Sequence, residues 1–245
     1  MIDLKQSVQY IKGVGPNRAK LFNLLGIYTI EDLITYYPRA YQDRSKIKTI
    51  EELQDGEEAL IEAVTMSRVS TFKLRRNMSV SKVQVQDDTG RCLITWFNQD
   101  YIRNSIQAHE KYKFYGKITQ KLGKMEMSSP VFDKEGENKN TGKIVPIYST
   151  TKSLSENAIR QAMENALKLA NDQLKDNLPE YIKKEYNLED FDKAVEQIHF
   201  PSDFDSLTVA RQRLVFEELL TFQLALLSLK NQYSNEIRGI KYNKE

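Results

Sequence analysis

The hydrophobic rhythm of the chain changes twice. Residues 58–150 carry apolar positions at every second residue, and the flanks carry them at every third or fourth, so strands are expected in the middle and helices on either side. EALIEAVTMSRVSTF reads as one strand, and SVSKVQVQD alternates apolar with polar. Asp87, Asp88, Thr89 and Gly90 make a hairpin turn, RCLITWF a third strand, and NQDYIRNSIQ a short helix. KYKFYGKITQ and KMEMSSPVF are two more strands around the turn KLGK. Five strands with a helix between the third and fourth is the order of an OB-fold barrel.

The flanks follow helical spacing. GVGP ends a first segment, Pro16 can open the next helix, and Gly26 stops it. Thr29 and Asp32 have capping-box spacing before IEDLITYYP, which Pro38 ends. Beyond the polar, exposed connection at 133–143, Ser153 and Glu156 again have capping-box spacing. Ile159, Ala162, Met163, Ala166, Leu167, Ala170 and Leu174 then recur on one helical face. Pro179 breaks this run, shorter helices are expected at 180–187 and 189–198, and a long one from about 206 to 232. Residues 214–229 of that helix are apolar on nearly every side, which calls for burial all round by something outside this chain. The expected fold is α+β: a helical segment at 1–57, a five-stranded OB barrel at 58–150, and a helical segment at 151–245.

Charge matters here by position rather than by sum. The net charge is only +2, from 36 basic and 34 acidic residues, yet two stretches are free of acids. Between Ala63 and Gln86 stand Arg68, Lys73, Arg75, Arg76 and Lys82. Between Lys111 and Met125 stand Lys111, Lys113, Lys117, Lys121 and Lys124. Both lie on the expected barrel, where such charges suit phosphates, although a solvated sheet face would also carry them. Aromatic residues interleave with them. By strand alternation Trp96 and Phe97 face opposite ways, one into the core and one out, and Tyr101 follows at the strand–helix corner. Tyr112, Phe114 and Tyr115 sit in the next strand; such rings could stack bases, but most of these aromatics are expected to fill the barrel core. IKGVGPNRA at 11–19 is similar to a helix-hairpin-helix turn, in which backbone N–H groups meet a phosphate, and equally to a plain helix–helix turn.

Enzyme signatures are missing. The sequence has no Gly-x-x-x-x-Gly-Lys-Ser/Thr phosphate loop, no Gly-x-Ser-x-Gly elbow and no His-Glu-x-x-His pair. Asp87 and Asp88 are better read as turn residues than as a catalytic pair. One cysteine, Cys92, and two distant histidines, His109 and His199, give neither a disulfide nor a zinc site and fit a reducing cytoplasm. The N-terminus has no signal-peptide run, and the most apolar stretch is about half the length that crosses a bilayer.

Three long strings then carry a resemblance. IKGVGPNRAKLFNLLGIYTIEDLITYYPRAYQDRS, WFNQDYI and IHFPSDFDSLTVARQRLVFEELLTFQLALL stand in the order found in RecG helicases, and the chain resembles that family over nearly its whole length. The resemblance implies the OB-fold wedge region of a DNA-dependent ATPase that regresses stalled forks and acts on Holliday junctions. In the family two rings four residues apart, at the junction of third strand and helix, stack on bases at the branch; here these are Phe97 and Tyr101. Arg68, Lys73, Arg75, Arg76, Lys82, Lys117, Lys121 and Lys124 would hold phosphates beside them. The two motor lobes are absent from this stretch, which is therefore expected to be a truncation. No cofactor is expected in it, since ATP and magnesium belong to the missing motor. Its expected partners are branched DNA (a fork or Holliday junction) and the motor domains in cis, with no membrane, in a monomeric cytoplasmic protein. A free-standing OB-fold binding single strands, which predicts equal affinity for a fork and a plain strand, is the alternative. An interaction scaffold, indifferent to loss of Arg75 and Arg76, is a third.

Overall fold

The computed structural model describes residues 3–75, 78–121, 123–170 and 173–236. The helices are α1 (Gly15–Asn23), α2 (Ile30–Ile34), α3 (Ile102–Ser105), α4 (Glu156–Ala170), α5 (Glu180–Tyr186), α6 (Phe191–His199) and α7 (Phe204–Glu236). The strands are β1 (Ala40–Asp43), β2 (Ile47–Lys48), β3 (Glu58–Thr65), β4 (Ser70–Arg75), β5 (Met78–Gln86), β6 (Arg91–Phe97), β7 (Lys111–Lys121), β8 (Lys124–Lys134) and β9 (Ile144–Ile147). The chain forms two compact units, Tyr41–Val145 and the combination of Met1–Ala40 with Pro146–Glu245. The three successive segments expected at 1–57, 58–150 and 151–245 thus become two units, because the first and last helical segments share one core. The chain passes between the units in β1 and β9, which pair with each other.

The barrel unit is built on a sheet ordered β2-β3-β7-β8-β6-β5-β4, closed by an additional pairing of β3 with β5. The ring itself is β3, β5, β6, β8 and β7, with β6 and β8 parallel, which is the OB arrangement. The expected five strands form the ring, and β2 and β4 are additions. β4 arises because the stretch read as one strand bends after Thr65. That residue is buried, and its hydroxyl donates to the carbonyls of Gln107 (2.7 Å) and Glu110 (3.2 Å) in the loop before β7. The chain resumes as β4 and pairs with β5 from Ser70↔Lys82 to Arg75↔Met78. Alternation sends Val83, Val85, Cys92, Ile94 and Trp96 inward with Phe114, Ile118 and Met127. The Trp96 indole N–H donates to the Pro130 carbonyl at 3.0 Å, so its polar atom is satisfied inside the core. Gly116 sits where the β7–β8 register shifts. A Cβ there would meet Met127 Cγ and Pro130 Cβ at 3.0 Å, so any side chain would force β8 to give by a few tenths of an ångström. Burial drives the Cys92 thiol up to about 12, which leaves it a small apolar filler.

The helical unit gathers Val8, Phe22, Ile27, Ile30 and Leu33 from the start of the chain around Ile159, Met163, Ala166 and Val195 from its second half. Gly13 and Gly15 take positive φ (89° and 55°), which makes the turn into α1, and Pro16 stands in its first turn. Thr29 and Asp32 form the expected capping box, and the bond from the Thr29 backbone N–H, the largest influence, holds the Asp32 carboxyl below its usual range. At α4 the cap is Ser155 rather than Ser153: its hydroxyl accepts from the Ala158 N–H at 3.3 Å, and the helix begins one residue later.

Three ionisable side chains are buried in this unit. His199 accepts from the Tyr148 hydroxyl at Nδ1 (2.9 Å) and donates from Nε2 to the Ile34 carbonyl (2.7 Å), the tautomer fixed by that carbonyl. Desolvation lowers its pKa to about 4, so it is neutral at physiological pH. Arg213 lies fully buried between Asp176 (2.8 Å) and Glu217 (2.5 Å), and Lys183 bonds Asp176, Glu180 and Asp190. Further along α7 the picture reverses. The expected all-round burial is not provided by this chain: residues 221–232 are all exposed, Phe222, Leu224, Leu226, Leu227 and Leu229 among them. Among the described residues no helix is long and apolar enough to cross a membrane.

Candidate nucleic-acid interface

The corner where β6 gives way to α3 presents two rings on a fixed backbone. Trp96 is 0% exposed and Phe97 47%, as alternation at the end of β6 requires. Asn98 then takes a left-handed conformation (φ 54°), which turns the chain off the strand. Its N–H donates to the Ser79 carbonyl at 2.9 Å, and its side-chain oxygen accepts the Ser79 N–H at 3.0 Å. The Ser79 hydroxyl bonds the Asp100 carboxylate. The corner is therefore tied to β5 by three hydrogen bonds. Ile102 and Ile106 anchor α3 in the barrel core, and Tyr101, just before that helix, is left 62% exposed. The Tyr101 hydroxyl donates to Gln99 Oε1 at 3.1 Å, and its carbonyl accepts from the Ser105 hydroxyl at 3.2 Å. Two exposed rings thus stand four residues apart on a backbone held in place by hydrogen bonds.

The other aromatics named in the sequence belong to the interior. Tyr112, Phe114 and Tyr115 are buried; the Tyr112 hydroxyl accepts the Gln107 N–H, and that of Tyr115 donates to Glu58.

The basic residues separate into groups. Lys82 lies on the side of β5 away from the core, opposite Thr95 of β6. Lys117 of β7 stands opposite Ser128 of β8, and Lys121 and Lys124 face each other at the end of the β7–β8 hairpin. Lys117, Lys124, Arg68 and Lys73 are exposed, and none forms an ion pair among the described residues. Lys121 is engaged: it reaches Glu126 at 3.3 Å, and Glu126 also accepts from the Thr95 hydroxyl at 2.7 Å. Burial pushes the Glu126 carboxyl up, but the bonds from Thr95 and Lys121, with Lys82 nearby, outweigh it and hold the group below its usual range. Lys111 and Lys113 are engaged too, with Glu62 at 2.8 Å and Asn138 at 3.0 Å. The Arg75 side chain and Arg76 lie outside the described residues. Ser79, Asn98 and Asp100 were missed as determinants of the corner. The signal was FNQD itself: a small polar residue that tolerates positive φ directly after a strand.

Known proteins share this architecture. The model of the RecG wedge domain matches residues 7–170. The ATP-dependent DNA helicase RecG of Thermotoga maritima is 34% identical over 94% of this chain and 30% of its own length. That of Bacillus subtilis is 30% identical over 96% of this chain and 34% of its own length. The chain thus spans about a third of the curated relatives it matches. A solved structure of RecG bound to a three-way DNA junction superposes with a TM-score of 0.84 at 33% identity, over 96% of this chain and 32% of that one. The family match runs through the first helices, the barrel and α4, and this chain belongs to the RecG wedge domain family.

Proposed function

We propose that this chain is the wedge of a RecG-type helicase, binding branched DNA and holding separated strands apart during fork regression and recombinational repair. The observation that carries the reading is the locked corner at the end of β6, with Phe97 and Tyr101 exposed on it. Bases unpaired at a fork or Holliday junction stack on the two rings, each ring contributing about 1–3 kcal/mol. Lys82, Lys117, Lys121 and Lys124 on the barrel, with Arg68 just before β4, Lys73 on it, and Arg75 and Arg76, hold phosphates and set position without reading sequence. ATP and magnesium act on motor lobes in cis, and the exposed apolar stretch of α7 suits their packing. Neither the hydrolysis of ATP nor a bound cofactor is assigned to residues of this chain, which works as a cytoplasmic monomer.

The test is fluorescence anisotropy with a three-way fork, a matched duplex and a single strand over a salt series. Wild type should prefer the fork. Phe97→Ala with Tyr101→Ala should remove that preference, a loss of tenfold or more, at an unchanged salt slope. Equal binding to all three DNAs, unaffected by the double substitution, would refute the assignment of the rings and favour a free-standing single-strand binder.

A further inference from the structure

One exposed ring on the barrel is not absorbed by the corner. The register of β4, β5 and β6 places Phe72 opposite Val80, and Val80 opposite Phe97, so the three side chains form one row on the side away from Trp96. Phe72 is 56% exposed, whereas Val80 between the two rings is 4% exposed. Adjacent strands lie about 4.8 Å apart, which separates Phe72 from Phe97 by about 10 Å, roughly the rise of three stacked bases. β4 is the last strand of the sheet and no part of the closed ring. A bare aromatic on an edge strand invites unwanted pairing unless a ligand uses it.

The charges around the row say what that ligand is. Lys82 lies on the same side, two residues along β5 from Val80; Arg68 is exposed just before β4, and Lys73, next to Phe72, is exposed on the other side of β4. No carboxylate occurs between Ala63 and Gln86, and Glu126, which bonds Thr95 on this side, is already occupied by Lys121. Flat apolar surface beside Lys82 fits a single nucleic-acid strand, its bases on the rings and its phosphates toward that ammonium. We infer that the β4–β5–β6 face is a track for a single DNA strand leaving the branch, with Phe72 as a third stacking platform beyond Phe97 and Tyr101. This rests on the branch-binding reading above.

The test uses the whole chain and two three-way forks, one with a single-stranded arm and one with every arm duplex, the single strand carrying 2-aminopurine a few nucleotides from the branch. Phe72→Ala should weaken binding of the single-stranded-arm fork about five- to tenfold and abolish the stacking quench, leaving the all-duplex fork unchanged. Phe72→Trp should restore both. Thermal unfolding of the variants controls for folding, which an exposed ring should barely affect. An unchanged affinity and quench in Phe72→Ala, or an equal loss on both forks, overturns the track and leaves the patch as protein surface. If Phe97→Ala with Tyr101→Ala removes fork preference while Phe72→Ala is neutral, only the third platform falls. If wild type shows no fork preference, both readings fall.

Discussion

In the helical unit Arg213 is fully buried between two carboxylates and Lys183 is enclosed by three, whereas on the barrel Lys117 and Lys124 stand exposed with no ion pair among the described residues. Desolvating Arg213 is costly, and its partners return that cost only as a complete set. The barrel's own buried ions, Arg44 and Asp133, bond the connection at 133–143, Arg44 to the Asn140 carbonyl and Asp133 to Asn140 and Thr141. The same residue types thus hold structure in one place and remain available to an anion in the other. Position, not composition, separates the two, which is why a net charge of +2 conveys so little.

The sharpest way to break this comparison is to remove one internal charge. Arg213→Met should destabilise the chain by about 3–5 kcal/mol in urea unfolding, because Glu217 loses its partner and Asp176 one of its two in a partly buried site. Fork affinity per folded molecule should not change. A stability equal to wild type would mean that the network contributes no cohesion.

Next in size is the effect of pH. The folded pKa of His199 is about 4, below the ordinary 6.5 of an unfolded chain. The unfolded state therefore takes up a proton first as pH falls. The stabilising contribution is complete above about pH 6.5 and is lost progressively down to pH 4, by about 3 kcal/mol in all. Asp32 and Asp176, with pKa values held below the usual 3.8, lose their contribution only below this window, as pH falls past 3.8. Urea midpoints at pH 7 and pH 5 for wild type and His199→Phe measure it. A variant with the same pH dependence as wild type would place the titration elsewhere.

The smallest effect belongs to the outer charges. Lys117→Gln or Lys124→Gln should leave the urea midpoint unchanged. Each should reduce the slope of log affinity against log salt by about 0.9 for every duplex phosphate that the lysine no longer neutralises. Lys121→Gln should reduce it less, since Glu126 competes for that ammonium. Equal slopes for all three variants would contradict the division between free and engaged lysines.

Much of the barrel was legible in the sequence because strand alternation is a local property. RCLITWF alone says that one of Trp96 and Phe97 is buried and the other exposed, the family resemblance picks Phe97 as the outer ring, and NQDYIRNSIQ gives the helix between third and fourth strands. What escaped depends on partners distant in sequence. The bend after Thr65 is made by carbonyls at 107 and 110, so the run from β3 into β4 looks continuous. Lys121 lies in an acid-free stretch, yet its acid arrives from β8 across the hairpin. Lys183 and Arg213 read as solvated helix residues until α5, α6 and α7 converge on Asp176. Phe72 looks like one more strand aromatic, and only the register of two neighbouring strands aligns it with Phe97.

The shared core of the first and last helical segments also orders events during synthesis. Val8, Phe22 and Leu33 leave the ribosome more than a hundred residues before Ile159, Met163 and Val195, against which they pack. The barrel, whose strands all lie in between, is complete before that core can close. The opening forty residues therefore wait with apolar surface uncovered, an interval in which chaperones or premature association can act on the nascent chain.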